Sequence, residues 1–570
     1  MTSGPLGSLI SGGGEWVAWI FPMPKERFAP HSALLATLLT AFVGVSSLAC
    51  APPARPGNGP TAGSAGTSSS GGQGAVAGTA GAGTTGFGGH PSGGGGTAGT
   101  GNSGGTGVVT GTGNGGGTGN SAGTGNGAGT TGSAGTGSGG TGNSGGGGGT
   151  GLTRGPTPPK NGANFPFPQN RQPAGCITPT AYDNNDVMAA YTQWKTDLVT
   201  SNGAGSFQRV QRTASDGQGA ATPLNSTVSE GIGYGMLIAV YMGDPDSHTL
   251  FDNLWKYSQL HLDGNKLMNW SIDASGNVTA SGSTTLGAGG ATDADEDIAF
   301  ALVMADKQWG SGGSLNYATL ASAQISAIWN HEVYQSKLAG PGDSWGPTNL
   351  FDNINISYFA PAYYRVFKAI DSGHDWDAVT QTVFDTIALA LNATNKNANN
   401  GLVPAWCSTS GAGGTSCGSS SAGPFNYQYD SCRTPFRVGI DWCWNGAKDG
   451  SITAVLKPSR AQAYVAKTTS FFSGVGAANI VDGYNLDGTV LTGTHTTAQG
   501  QSAAFVGPAG VGAMSTTGAA NQAFLDAAYA RVKTRQLDIG GAYYDESWTV
   551  MSLLMMTGNF LDYTAISPAQ

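Results

Sequence analysis

The sequence predicts an all-α domain over residues 161–570, and three observations carry that reading. Apolar residues recur at helical spacing, one run is apolar almost without a break, and long Gly-, Asn- and Ser-rich stretches separate the runs. In chain order, Met188, Tyr191, Lys195 and Leu198 share one helical face that Asn202 and Gly203 end. Thr227 to Met236 opens a second helix whose apolar run continues to Tyr241. Ile298 to Ala305 is apolar enough to be buried all round. Trp376, Val379, Val383, Ile387 and Leu391 repeat at helical spacing, Val438 to Trp444 forms another helix, and Trp548 to Met556 closes the set. The stretches 272–292 and 408–428 are long for connections, and long loops on a helical scaffold tend to carry function.

Upstream the composition changes. The chain has 570 residues, 96 of them Gly, and between Arg55 and Arg154 there is no Asp, Glu, Lys or Arg. With nothing to bury, residues 51–160 read as a flexible linker. At roughly 5–6 Å × √n its mean reach is roughly 50–60 Å. Residues 1–50 hold an export signal: Lys25 and Arg27 precede the apolar run Ala33 to Leu48, and small residues follow, with Met23 the expected start. The residues leading to Cys50 resemble a lipoprotein acceptor, which makes the linker a tether from the outer cell surface of a bacterium; plain secretion is the alternative. A formal net charge of −9 argues against nucleic acid.

With Cys50 lipidated, Cys176, Cys407, Cys417, Cys432 and Cys443 remain, so at least one stays unpaired. Cys407 and Cys417 flank a Gly/Ser-rich loop and can pair in an oxidising compartment. Cys432 and Cys443 fall on one expected helix, too far apart to bridge each other. Metal-ligand spacings such as Cys-x-x-Cys are absent.

The residues able to do chemistry gather at helix starts. Glu230 is followed by Gly231, Gly233 and Gly235. Each interior Gly costs roughly 0.5–1 kcal/mol relative to Ala, so something must approach that backbone closely. Thr227-x-x-Glu230 is also the capping-box pattern, in which Glu230 merely bonds the Thr227 amide. Asp293, Asp295, Glu296 and Asp297 open the buried run Ile298 to Ala305. One or two carboxylates would complement the macrodipole, each by about 0.3–1 kcal/mol. Four repel one another, so at least one has another task. The EF-hand pattern of Gly and Glu does not fit this stretch. Asp430 precedes a third helix with Arg433 one turn on, which by itself reads as an N-cap with an ion pair. Helix starts in a multi-helix barrel or bundle converge on one end, and that would bring Glu230, Asp293 and Asp430 together. A protonated carboxyl and an ionised one facing each other across a sugar are what glycoside hydrolysis needs.

Six stretches, Thr227–Met236, Ala291–Ala299, Ala305–Gly310, Ser357–Tyr364, Tyr429–Arg433 and Met556–Phe560, resemble glycoside hydrolase family 8 in order across nearly all of 162–565. The resemblance implies an (α/α)6 barrel with long loops forming an acidic cleft at one end. It implies inverting endo-hydrolysis of a β-1,4-glucan of the cellulose type, with chitosan, xylan and lichenan as the alternative polymers. Glu230 would be the general acid and Asp430 the base that activates water, with Arg433 holding that base. Asp293 would grip the sugar in the −1 subsite with Tyr358 beside it, while Trp270, Trp345 and Tyr484 would be sugar-stacking platforms. Ile356 departs from the pattern, since relatives often carry Pro there. The implied partner is a β-1,4-linked polysaccharide, the protein acting as a monomer with no metal or cofactor. A catalytically inert glycan binder would keep the aromatic platforms and lose Glu230 or Asp430; both are present.

One tension is visible in advance. A helix N-terminus lowers a carboxyl's pKa, whereas a general acid needs it raised. The expectation is that burial and the nearby Asp293 outweigh the dipole at Glu230.

Overall fold

A computed structural model describes residues 162–213, 219–344, 353–409, 416–420, 423–493, 501–534 and 542–568. The export signal, Cys50, the linker and Trp345 lie outside the described residues.

Among the described residues, helices alternate between an inner and an outer layer. The inner helices are α2 (Ser229–Met242), α4 (Thr292–Trp309), α6 (Pro361–Ile370), α8 (Thr434–Asn445), α10 (Ala503–Met514) and α12 (Tyr543–Met556). Each touches the next in that order, and α12 returns to α2, so the ring closes. The outer helices are α1 (Asn184–Leu198), α3 (Pro245–Ser258), α5 (Tyr317–His331), α7 (Trp376–Ala390), α9 (Ser459–Val475) and α11 (Ala519–Val532). Each leans on inner neighbours. This is the expected (α/α)6 barrel.

Composition sorts the layers. In α2, α4, α10 and α12 nearly every residue is buried, because such a helix is enclosed by two ring neighbours and an outer helix. Outer helices bury one stripe. In α1 that stripe is Val187, Tyr191, Trp194 and Leu198. Met188, expected on it, is exposed, because the face is set by Trp194, fully buried against Ser547 of α12. Strands are two residues long and join loops, as where Thr227–Val228 pairs with Ser271–Ile272 ahead of α2.

The chain closes the end of the barrel where the inner helices finish. Phe167 N–H donates to Met242 O at the end of α2, and Asn164 N–H to Gln308 O at the end of α4. Arg171 N–H reaches Gly558 O beyond α12, and Ile177 N–H reaches Met514 O at the end of α10. A disulfide from Cys176 to Cys443 then ties the strap to α8. That bridge pairs residues 267 apart in sequence and was not foreseen. Cys407 pairs with Cys417 as expected, and Cys432, which precedes α8 instead of lying on it, is buried and free. The opposite end, where inner helices start, is left to the long loops.

Candidate active site

The glycines at the start of α2 admit helix α4. A Cβ on Gly233 would stand 2.9 Å from Asp297 Cβ and 3.2 Å from Ala294 O, closer than side chains pack. The close approach sets Glu230 beside Asp293. The capping-box reading of Glu230 fails here. The Thr227 hydroxyl donates to Val210 O and accepts from Arg209, and α2 has no side-chain cap.

Glu230 is held instead by three residues, one on its own helix and two from distant parts of the chain. Tyr234, one turn along α2, donates to Oε1 at 2.7 Å. Tyr543, first residue of α12, donates to Oε2 at 2.6 Å. Arg433 Nη1 donates to Oε1 and, at 2.6 Å, to Asp293 Oδ2. Its Nη2 lies 3.9 Å from Asp430 Oδ1. Arg433 itself is fixed by Ser357 Oγ at 3.0 Å and lies over the Tyr358 ring, 5.0 Å from its centroid. One guanidinium therefore faces all three expected carboxylates. Exposure separates them: the Glu230 and Asp430 side chains keep 15% and 19% of their surface, whereas Asp293 keeps 3% and faces Arg433.

The four carboxylates opening α4 divide their tasks. Asp293 goes to Arg433, Asp295 accepts from Gln324 of α5, Glu296 accepts from Tyr364 of α6, and Asp297 forms a two-pronged pair with Arg437 of α8 at 2.7 and 2.9 Å. A bidentate pair of this kind is among the strongest polar contacts a core can hold. Among the described residues no cluster suited to a metal ion occurs.

Asp430 sits in the turn before α8. Trp406 Nε1–H donates to its Oδ2 at 3.0 Å, with Gln428 at 3.4 Å. Burial lifts its carboxyl to about 6, against the pull of Arg433 and the Trp406 hydrogen bond. Burial lifts Asp293 further, to about 7, with Arg433 opposing and Glu230 adding to the rise. Glu230 goes the other way. Burial pushes it up, but Arg433 and the hydrogen bonds from Tyr543, Tyr234 and Asp293 outweigh burial and hold it below the usual range. The expected raising of Glu230 by Asp293 is thus reversed: Arg433 and the donors around Glu230 hold it down, while burial and the Glu230 charge raise Asp293.

The aromatic expectations part company. Tyr358 lies against Arg433, 8% exposed. Trp270 packs with Val228, Ala291 and Ala294 beside Tyr543, its indole N–H on Leu286 O at 2.9 Å, so it borders the start of α4. Tyr484 has no open face for a sugar. It is 2% exposed, set edge-on against Phe471 and Phe472, and its backbone pairs with Tyr427. Its work is to hold the segment that leads into Asp430. Ile356, fully buried in a short turn that Asn355 caps, leaves Tyr358 in place without a Pro.

Residues 174–558 match the sequence pattern of glycosyl hydrolases family 8. The chain belongs to that family. It is 36% identical over 407 residues to Endoglucanase A of Acetivibrio thermocellus, covering 70% of this chain and 75% of that protein. It is 37% identical over 409 residues to Endoglucanase 2 of Ruminiclostridium josui, covering 70% and 77%. The solved apo structure of a β-1,3-1,4-glucanase from Paenibacillus sp. X4 superposes with a TM-score of 0.58 at 29% identity, covering 70% of this chain and 98% of that one. As a family 8 glycoside hydrolase, the protein carries its acidic residues at the open end of the (α/α)6 barrel.

Tyr234, Tyr543 and Trp406, which touch Glu230 or Asp430, were absent from the sequence reading. Tyr234 had a signal, since it stands four residues after Glu230 on one helix face. Tyr543 and Trp406 had none: they reach the site from residues 313 and 24 positions away.

Proposed function

We propose that this chain is an endo-acting β-1,4-glucanase that hydrolyses a cellulose-type polymer with inversion. The observation that carries the reading is Arg433 set between two solvent-reaching carboxylates, Glu230 and Asp430. A guanidinium between the two suits the ~6.5–9.5 Å carboxylate separation of inverting enzymes, wider than the ~5 Å of retaining ones. Glu230, once protonated, gives its proton to the glycosidic oxygen. Water attacks the anomeric carbon from the opposite face, and Asp430 takes the water's proton. The Glu230–Asp293 pair then takes up a proton from solvent, and Asp430 releases one to solvent. Similarity to two endoglucanases and a β-glucanase supports glucan as the polymer.

The same reading places the domain outside the cytoplasm. Two disulfides, Cys176–Cys443 and Cys407–Cys417, suit an oxidising compartment. The export-like segment before Cys50 supports it, with that cysteine as the point of lipid attachment.

The test is sugar release by the full chain from soluble cellulose, chitosan and xylan. Glu230→Gln should lower release from cellulose by about 10²–10⁴-fold while the protein still melts cooperatively. An undiminished rate removes Glu230 from the acid's role; release mainly from chitosan keeps the mechanism and changes the polymer.

A further inference from the structure

Asp430 has an asymmetric setting. Its Oδ2 accepts both available neutral donors, Trp406 Nε1–H at 3.0 Å and Gln428 Nε2–H at 3.4 Å. Among the described residues, its Oδ1 meets only the distant Nη2 of Arg433 at 3.9 Å. The indole that makes the shorter bond is held more firmly than a stacking residue would need. Trp406 is 2% exposed. Its own backbone N–H donates to Pro424 O and that of Ala405 to Asn426 O, while Cys407 exchanges two backbone hydrogen bonds with Ile354. The Cys407–Cys417 disulfide closes the next turn. On one side of the ring, Gly423 leaves no room to spare, since an added Cβ would overlap the indole. Near its edge stands Tyr358, ring centroids 6.2 Å apart.

We infer that Trp406 is the positioning residue of the base: its clamped indole N–H pins Asp430 Oδ2, so that Oδ1 alone is presented to water. This rests on the proposed role of Asp430. A carboxylate free to rotate offers two equivalent oxygens and spends part of its time misdirected; a pinned one does not. The indole N–H can only donate, so it favours the ionised form that a base must have. The charged and titratable groups facing Asp430 are Arg433, which favours ionisation, Glu230, which opposes it, and the Tyr358 phenol. Of the two uncharged groups touching the base, Trp406 makes the shorter bond, at 3.0 Å against 3.4 Å for Gln428. The disulfide beside it thereby acquires a part in catalysis, as the mount of an indole that never touches the reacting atoms.

Two measurements test this. The first needs no substrate. In the full-length protein, the indole ¹H–¹⁵N resonance of Trp406, assigned by its loss in Trp406→Phe, should shift as pH passes through about 6, where Asp430 ionises. It should stay flat in Asp430→Asn. A flat resonance in the wild-type chain overturns the inference whatever polymer the enzyme cuts. The second is kinetic. On the polymer that the wild-type enzyme hydrolyses, Trp406→Phe should move the acidic limb of kcat/KM upward, with about a tenfold loss at pH 5 that narrows toward pH 7 and KM little changed. In an Asp430→Asn background the same substitution should change the residual rate less than twofold, about the level of independence. An unmoved limb, or an equal loss in both backgrounds, shows a structural tryptophan only. Should Trp406→Phe fold poorly, Gly423→Ala, which displaces the indole without deleting its N–H, should move the limb in the same direction.

Discussion

Tyr543 places a phenol on the Glu230 oxygen that Arg433 leaves free, and this has a kinetic consequence. A donor to a carboxylate stabilises the charged form, so it works against the protonation that a general acid needs. The free enzyme resolves this by keeping a proton on Asp293, which titrates at about 7, while Asp430 titrates at about 6. In the proposed mechanism, activity requires a proton on the Glu230–Asp293 pair and none on Asp430. The kcat/KM profile should therefore be a narrow bell, its alkaline limb belonging to the pair and not to either residue. Tyr543→Phe deletes the donor and raises the pair's affinity for its proton. The alkaline limb should move to higher pH in a kcat/KM titration, the acidic limb staying put. A limb that does not move would mean that Tyr543 serves only to pack α12 against α2. The residues around these carboxylates show what was legible in the sequence. Arg433 could be paired with Asp430 by spacing, yet its shortest contacts are to Glu230 and Asp293, 203 and 140 positions away. Spacing along a chain reports neighbours on one helix; it says nothing about which helix faces it across a barrel.

The start of α2 shows the same division at the scale of elements. Three glycines in one turn and a half implied a close approach, and α4 makes it at Gly233. What the pattern could not say was that the approaching partner is a helix and not a ligand. Gly233→Ala should destabilise the fold by about 1–3 kcal/mol, because Ala294 O is backbone and cannot step aside cheaply. Since Glu230 and Asp293 ride on these two helices, kcat should fall as well. Chemical denaturation beside steady-state kinetics checks both; a loss of stability with full activity would mean that the pair tolerates a wider spacing. The inner helices were legible where they are apolar throughout, as in Ile298 to Ala305 and Trp548 to Met556, since only enclosure on every side makes that composition soluble. The outer α1 was harder. Its buried and exposed faces differ by one position, and Met188 is hydrophobic without being inside. Tyr484 misled for a related reason. An aromatic ring has the same composition whether it faces a sugar or a core of Phe471 and Phe472.

At the scale of the molecule, the carboxylates around the start of α4 make stability depend on pH in a direction opposite to ordinary acid denaturation. Burial raises Asp293 and Asp263 to about 7 and Asp430 to about 6, and it raises Asp295, Glu296 and Glu332 as well. In the unfolded chain such groups lose their protons near pH 4. Between there and about 7 the folded state holds protons that the unfolded state has released, so stability is full below pH 4 for these groups and falls as pH rises. Glu230 and Asp343 are shifted the other way, but their effect lies below about pH 4. His248 and His261, held below the usual imidazole value by burial, oppose the trend only up to about pH 6.5 and are outnumbered. The melting temperature should be higher at pH 5 than at pH 8 by scanning calorimetry, and Glu332→Gln should flatten the slope. A melting temperature that climbs toward pH 8 would contradict the assignment. The strap at the far end of the barrel has a different sort of consequence. Residues 164–171 run beside 558–563, with Phe165 stacked on Tyr563 at 4.2 Å and Arg171 bonded to Gly558. The folded domain thus enters and leaves at one spot, opposite its cleft. In topological terms it is nearly a closed loop of chain, so where that loop is cut matters little to the barrel.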